Sequence, residues 1–155
     1  MGITIHYAGQ LWSDDSLNEL IDRAEVLASK LGWYFERTRV QPDSPPRGFV
    51  VFPHHDCEPL RIEADARLKF SGWVKTQFAG VEIHIQVVRF LRELRSFFRR
   101  FGTRDEGEYW HTGDEAMLRW HINKINELIQ EAVERNPDIR TKIRMPDGLM
   151  IDYIE

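Results

Sequence analysis

Apolar and polar residues alternate in "ITIHYA", residues 3–8, and this alternation predicts a strand at the start of the chain. Between residues 14 and 31 the apolar positions recur at steps of three and four, which predicts a helix that buries one stripe and stops at Gly32. The stripe consists of Leu17, Leu20, Ile21, Ala24, Leu27, Ala28 and Leu31. Four more strands are expected, at 33–40, 48–52, 60–64 and 68–74, with a Pro-rich loop between the first two.

Two further helices are predicted in the second half of the chain, at residues 80–101 and 113–135. Thr112 and Glu115 have the spacing of a capping box at the start of the second of these helices, and "NP" at 136–137 ends it. The chain then closes with two apolar-rich strands at 139–145 and 149–155. The "PDG" turn between them indicates a hairpin.

This order of elements predicts an α+β fold, because consecutive strands favour antiparallel pairing. We expect a single globular domain over residues 1–155, with a mainly antiparallel sheet, three helices packed on one face and a C-terminal β-hairpin. The hairpin carries apolar residues on both sides, so it should extend the sheet or cover a partner. Sheet extension is the preferred interpretation, and a homodimer is the alternative.

Composition agrees with a cytoplasmic protein that makes no use of a membrane. The chain is 42% hydrophobic and 30% charged, no apolar run reaches the length of a bilayer span, and the N-terminus lacks the pattern of a secretory signal. Cys57 is the single cysteine, so no internal disulfide is expected.

The segment "RDEGEYWHTGDEAML", residues 104–118, contains five carboxylates, a His, a Tyr and a Trp. Turn and cap roles explain much of it, but they do not require all of Asp105, Glu106, Glu108 and His111. Carboxylates beside an imidazole are suited to general acid and base catalysis or to metal binding. Asp105, Glu106 and His111 are therefore the candidate catalytic groups, although no established motif surrounds them.

A metal site is the hypothesis for "PHHDCEP", residues 53–59. In an extended segment, alternate residues share one side, so either His54, Asp56 and Glu58, or else His55 and Cys57, could face one divalent cation. The simpler interpretation is a polar connection in which Cys57 is a small buried hydrophobe. No other cofactor is expected.

A ligand-binding site is the hypothesis for the start of the second helix, within "WVKTQFAGVEIH", residues 73–84. Free backbone amides at a helix N-terminus attract anions, and Lys75, Thr76 and Gln77 stand beside them. Glu82 and Tyr109 would complete such a pocket if the two regions converge. His84 lies on the apolar stripe and is expected to be a hydrogen-bonded core residue.

Charge is distributed in two blocks. Residues 89–104 contain six arginines and one glutamate, and Arg92, Arg95 and Arg99 would share a helix face. Residues 105–115 contain five carboxylates and neither Lys nor Arg. The two blocks could neutralise each other within a protomer or across a dimer. Nucleic acid is therefore not the partner that the sequence favours.

Two functional hypotheses follow. The first is a small binding or interaction module whose charged helix and acidic loop meet another protein or a second copy of the chain. The second is a small hydrolase that uses Asp105, Glu106 and His111 as acid, base or metal-binding groups and Lys75 to hold an anionic substrate. We prefer the first, because no specific catalytic motif is present.

Overall fold

The computed structural model describes residues 2–154, with side chains described up to residue 151. Within that range the chain has the predicted α+β architecture. The strands are Thr4–Leu11 (β1), Tyr34–Thr38 (β2), Gly48–Phe52 (β3), Leu60–Glu63 (β4), Lys69–Lys75 (β5), Phe98–Asp105 (β6), Arg140–Arg144 (β7) and Met150–Ile154 (β8). The helices are Asp14–Leu31 (α1), Val81–Glu93 (α2), Tyr109–Thr112 (α3) and Glu115–Arg135 (α4). No helix among these has the length and apolar character that a membrane span requires.

All strand pairs are antiparallel, but the strands form three sheets instead of one. One sheet has the order β5-β1-β6, a second has the order β2-β3-β4, and β7 pairs with β8 alone. The edges of the first two sheets meet at β4 and β5. Between them the Tyr7 hydroxyl donates a hydrogen bond to the Arg61 carbonyl at 2.6 Å. Gly72 makes room for this ring, because a Cβ there would lie 2.7 Å from the Tyr7 hydroxyl oxygen.

The core lies between the helices and the inner faces of the two larger sheets. The predicted stripe of α1 supplies five buried residues, and α2 adds Val87, Val88, Phe90 and Leu91. The third long helix, α4, reaches this core mainly through α2. Its Leu118 and Ile122 pack in a second cluster with Ile3, Val81 and Ile85.

The prediction of one helix over residues 80–101 is wrong at its C-terminal end. α2 ends at Glu93, a 3₁₀ turn covers Arg95–Phe97, and β6 begins at Phe98. The strand was missed because the register with β1 shifts between Gln10 and Leu11, which pair with Arg100 and Phe98. Such a bulge inserts one extra residue, so Phe98 and Phe101 stack on each other although they are three apart. Three-residue spacing of apolar groups then resembles a helix.

The predicted capping box at Thr112 and Glu115 is also wrong. Asp114 is the N-cap of α4, and its side chain accepts from the Met117 amide at 3.1 Å. The Thr112 hydroxyl instead donates to the Glu108 carbonyl at 2.8 Å, because residues 109–112 form the short helix α3. Glu115 pairs with Arg119 on the surface of α4.

The C-terminal hairpin is confirmed, and Gly148 in its turn has the positive φ that the turn requires, 94°. The expectation that it would extend the main sheet is wrong, because β7 and β8 form a separate sheet. Glu58 connects the hairpin to the rest of the molecule. Its carboxylate accepts from the Lys75 amide at 2.7 Å and from the Met150 amide at 2.9 Å.

Candidate functional site

Asp105, a candidate catalytic residue, lies in the core. Its carboxylate is 3.0 Å from His84 Nε2, and the other ring nitrogen of His84 is 2.6 Å from Thr76 Oγ1. The amides of Gly107 and Trp110 donate to the same carboxylate at 2.8 Å each. His84 is thus the hydrogen-bonded core residue that the sequence predicts, although its two partners were assigned to other roles.

This Thr76, His84 and Asp105 network has the order of a catalytic triad but is closed to solvent. Thr76 and His84 are each 0% exposed, so no substrate can reach the hydroxyl. Burial opposes ionisation of Asp105. The hydrogen bond and charge of His84, together with the two amide donors, outweigh that effect and hold the pKa of Asp105 below its usual value. The network stabilises the junction of β5, α2 and β6.

Glu106, the next residue, points away from this network. Its carboxylate is 2.9 Å from His6 Nε2, and both side chains are about one-third exposed. His111 is exposed at the end of α3, and among the described residues no hydrogen bond or ion pair joins it to Asp105 or Glu106. The three proposed catalytic residues are therefore not brought together.

The residues of the proposed anion site are engaged in internal contacts. Lys75 Nζ donates to the Met150 carbonyl at 3.0 Å, and the buried Gln77 accepts from the Ile3 amide at 3.0 Å. Glu82 is exposed on α2, whereas Tyr109 packs against the core. Lys75, Thr76 and Gln77 consequently hold elements together, and Glu82 and Tyr109 do not join them in one pocket.

The proposed metal ligands His54 and Asp56 do lie together, but His55 completes the cluster instead of Glu58. Ligand atoms of His54, His55 and Asp56 lie within 4.8 Å of one another. Lys142 Nζ, from β7, already contacts the Asp56 carboxylate at 2.7 Å, and this hydrogen bond is the main reason that the pKa of Asp56 is lowered. Cys57 is buried, as the simpler interpretation requires.

A metal ion at this cluster would compete with the Lys142 ammonium for Asp56. We expect Lys142→Ala to strengthen Zn²⁺ binding several-fold, because two imidazoles and a carboxylate are acceptable zinc ligands once that cation is removed. Titration calorimetry with Zn²⁺ measures the change. Adding His54→Ala to the Lys142→Ala variant should abolish Zn²⁺ binding. Absence of Zn²⁺ binding in the Lys142→Ala variant would exclude a zinc site here.

The outer face of the β5-β1-β6 sheet is a different surface, on which mostly exposed side chains lie in register. We call it the open face, since the helices cover only the opposite side, where Ile5 and Tyr7 are buried. Antiparallel pairing aligns its side chains in rows across the three strands. The rows are Lys69, Gln10 and Arg100; then Ser71, Ala8 and Gly102; then Trp73, His6 and Arg104.

Three cations of the open face, Lys69, Arg100 and Arg104, form no salt bridge with any residue whose side chain the structure describes, residues 2–151. Side chains on one face of a strand repeat about every 6.8 Å. The first row, with Lys69 and Arg100, and the third row, with Arg104, are the two basic rows, and they are therefore about 13 Å apart. Glu106 is the carboxylate at the hairpin end, and it is paired with His6.

The five carboxylates of residues 105–115 do not neutralise these arginines. Each has another partner within the described chain; in chain order these are His84, His6, His121, the Met117 amide and Arg119. The shared helix face of Arg92, Arg95 and Arg99 does not exist either, since α2 ends at Glu93. The neutralisation expected from the sequence therefore does not extend to the open face.

A shallow depression lies between the first and middle rows of the open face. It has a volume of about 400 Å³, and Ala8 and Gly102 contribute to its lining along with Lys69 and Arg100. A Cβ on Gly102 would meet no atom within 4 Å. Trp73 lies in the third row, outside this depression, and is 52% exposed. A small-residue floor, flanking cations and an exposed indole together make a surface on which a ligand could lie flat.

The C-terminal hairpin closes one end of the open face. A groove of about 310 Å³ lies there, lined by His6, Trp73, Lys75, Glu106 and residues 149–151 among others. Burial raises the pKa of the Glu58 carboxyl in this groove, against the two amide hydrogen bonds that favour its ionised form. Glu58 and Lys75 hold the hairpin in position here, so the surface available to a ligand extends from Trp73 towards Gln10.

Comparison with protein-family models, with curated proteins and with solved structures gave no significant match for this chain. The chemistry of the open face is therefore the basis for a functional proposal. This face was not predicted from the sequence because Arg100 was assigned to a helix. The signal was present in the alternation of Arg100, Gly102 and Arg104, which matches Lys69, Ser71 and Trp73 in the strand prediction.

Proposed function

We propose that the protein is a small binding module that takes a negatively charged ligand on the open face. The observation that carries this proposal is a set of three cations, Lys69, Arg100 and Arg104, that form no salt bridge within the described residues and lie on a sheet surface that no described helix covers. Exposed cations that lack internal partners attract anions locally, even on a protein whose net charge is −4. A partner protein would need an acidic surface to fit here.

The hydrolase alternative has less support. Asp105 is part of the closed core network, Lys75 holds the hairpin, and His111 is exposed at the end of α3. An acid, a base and an anion-binding group must converge on one reacting atom for catalysis, and these three do not. The His6 and Glu106 pair borders the open face, where it can contribute hydrogen bonds to a bound ligand.

A heparin column tests the proposal with a generic polyanion. We expect retention at 0.1 M salt, where the screening length is about 10 Å and the local cations outweigh the net charge of the molecule. The double variant Arg100→Glu/Arg104→Glu should elute at clearly lower salt, because it reverses both cations contributed by β6.

Arg89→Glu is the matched control for this experiment. Arg89 is exposed on α2, which packs on the opposite side of the sheet, and it makes no salt bridge within the described residues. Its reversal changes the net charge without touching the open face. Equal loss of retention in the control and in a single Arg104→Glu variant, or no retention of the wild type, would overturn the proposal.

A further inference from the structure

We propose that the anionic ligand of the open face is a single-stranded nucleic acid. This inference rests on the proposed function and narrows it to one chemical class. Its basis is the combination of an exposed indole with two basic rows on one flat surface. Proteins that bind single strands combine cations that follow the backbone with aromatic rings on which bases stack.

Trp73 is placed for stacking by the register of the sheet. It pairs with His6 on β1, which in turn pairs with Arg104 on β6, so the three side chains form one row. When a base stacks on the Trp73 indole, the phosphate of the same nucleotide can therefore contact the Arg104 guanidinium. At the opposite end of the face, Arg99 lies 6.0 Å from the ring centre of Trp12, which is itself 62% exposed.

The dimensions of the face favour a single strand over a duplex. Three strands span about 10 Å, and the rows from Trp73 to Lys69 span about 13 Å. Sheet platforms of this type hold about two or three nucleotides. Reading a duplex requires an element that enters a groove. The middle row offers Ser71, Ala8 and Gly102, which are too short to do so.

An acidic peptide is the alternative ligand for the open face, and it would depend on different side chains from a single-stranded nucleic acid. It would use Lys69, Arg100 and Arg104 but would gain little from the indole. The two ligands can therefore be separated by how strongly Trp73 contributes. Base stacking is sensitive to loss of the ring, whereas charge attraction is sensitive to loss of the arginines.

The experiment is fluorescence anisotropy with a labelled mixed-sequence 12-nucleotide single strand, its duplex, and labelled heparin. We expect the single strand to bind more tightly than the duplex. Arg104→Glu should weaken single-strand binding about tenfold or more and flatten its salt dependence. Trp73→Leu should weaken binding to the single strand about tenfold and change heparin binding less than about twofold.

Two further variants keep the result independent of folding. Trp73→Phe retains a ring and should recover most of the affinity lost in Trp73→Leu. Gly102→Glu places a carboxylate between the basic rows at a position where an added Cβ has free space, so it should abolish binding while circular dichroism stays unchanged. Arg89→Glu again serves as the control with unaltered affinity.

The outcomes separate this inference from the proposed function. Heparin binding without single-strand binding would overturn the nucleic-acid assignment and leave the anion-binding face intact. The nucleic-acid assignment is likewise overturned if the duplex binds as tightly as the single strand, or if Trp73→Leu weakens heparin and single-strand binding equally. Binding of neither polyanion would overturn both proposals.

Discussion

Asp105→Ala is expected to lower the free energy of unfolding by about 3–5 kcal/mol, because each buried donor left without its acceptor costs about 1–3 kcal/mol. The substitution leaves His84 Nε2 and the amides of Gly107 and Trp110 without this acceptor inside the core. Urea denaturation followed by circular dichroism measures the change.

Glu106→Ala is the matched control, since it removes a carboxylate from the adjacent residue. Glu106 is about one-third exposed and pairs with His6 at the surface, so the loss should stay below about 1 kcal/mol. If the two variants were equally stable, the closed network would not have the structural role assigned to it.

The same residue predicts how stability changes in acid. The pKa of Asp105 is lowered in the folded state, so its ionised form stabilises the fold above the unfolded-state value of about 4. This contribution is lost as the pH falls through the lower folded-state pKa. The stability difference between the wild type and Asp105→Ala should therefore shrink as the pH falls below about 4.

Glu58→Ala is expected to release the C-terminal hairpin, at a cost of about 2–3 kcal/mol for opening this region. Both carboxylate oxygens of Glu58 accept backbone amides, one from Lys75 in β5 and one from Met150 in β8. Hydrogen exchange by mass spectrometry should show peptides of β7 and β8 exchanging about 30-fold to 150-fold faster, with the rest of the protein unchanged.

Glu63→Ala provides the comparison for the hairpin experiment. Glu63 is exposed on the neighbouring strand β4, and its ion pair with Arg61 is long at 3.8 Å. Removal of the Glu63 side chain should leave the hydrogen-exchange rates of β7 and β8 unchanged. Unchanged protection of β7 and β8 in Glu58→Ala would mean that other contacts, such as Lys142 with Asp56, hold the hairpin alone.

Periodicity predicted the fold well wherever one period persisted through a whole element. The stripe of α1 and the "PDG" turn of the hairpin are examples, since each is set by local chemistry. It failed at Phe98, where the bulge opposite Gln10 and Leu11 depends on pairing with a strand about ninety residues away. No local pattern contains that information.

Site prediction failed for a related reason. The sequence singles out Asp105 and His84, but their roles depend on burial, which changes a carboxylate from a catalytic candidate into a core anchor. In the sequence, Arg104 is one of the six arginines of residues 89–104, and Lys69 has no assigned role. They become a surface only when β1 pairs with β5 on one side and with β6 on the other.

The burial of Cys57 has a practical consequence. Its side chain is 1% exposed, and burial raises the pKa of its thiol to about 12, so the native thiol is neither accessible nor ionised at neutral pH. A cysteine introduced at Gly102 would then be the thiol that maleimide dyes modify. One engineered position would thus supply a fluorescent reporter in the centre of the sheet surface, with the native sulfur left in place.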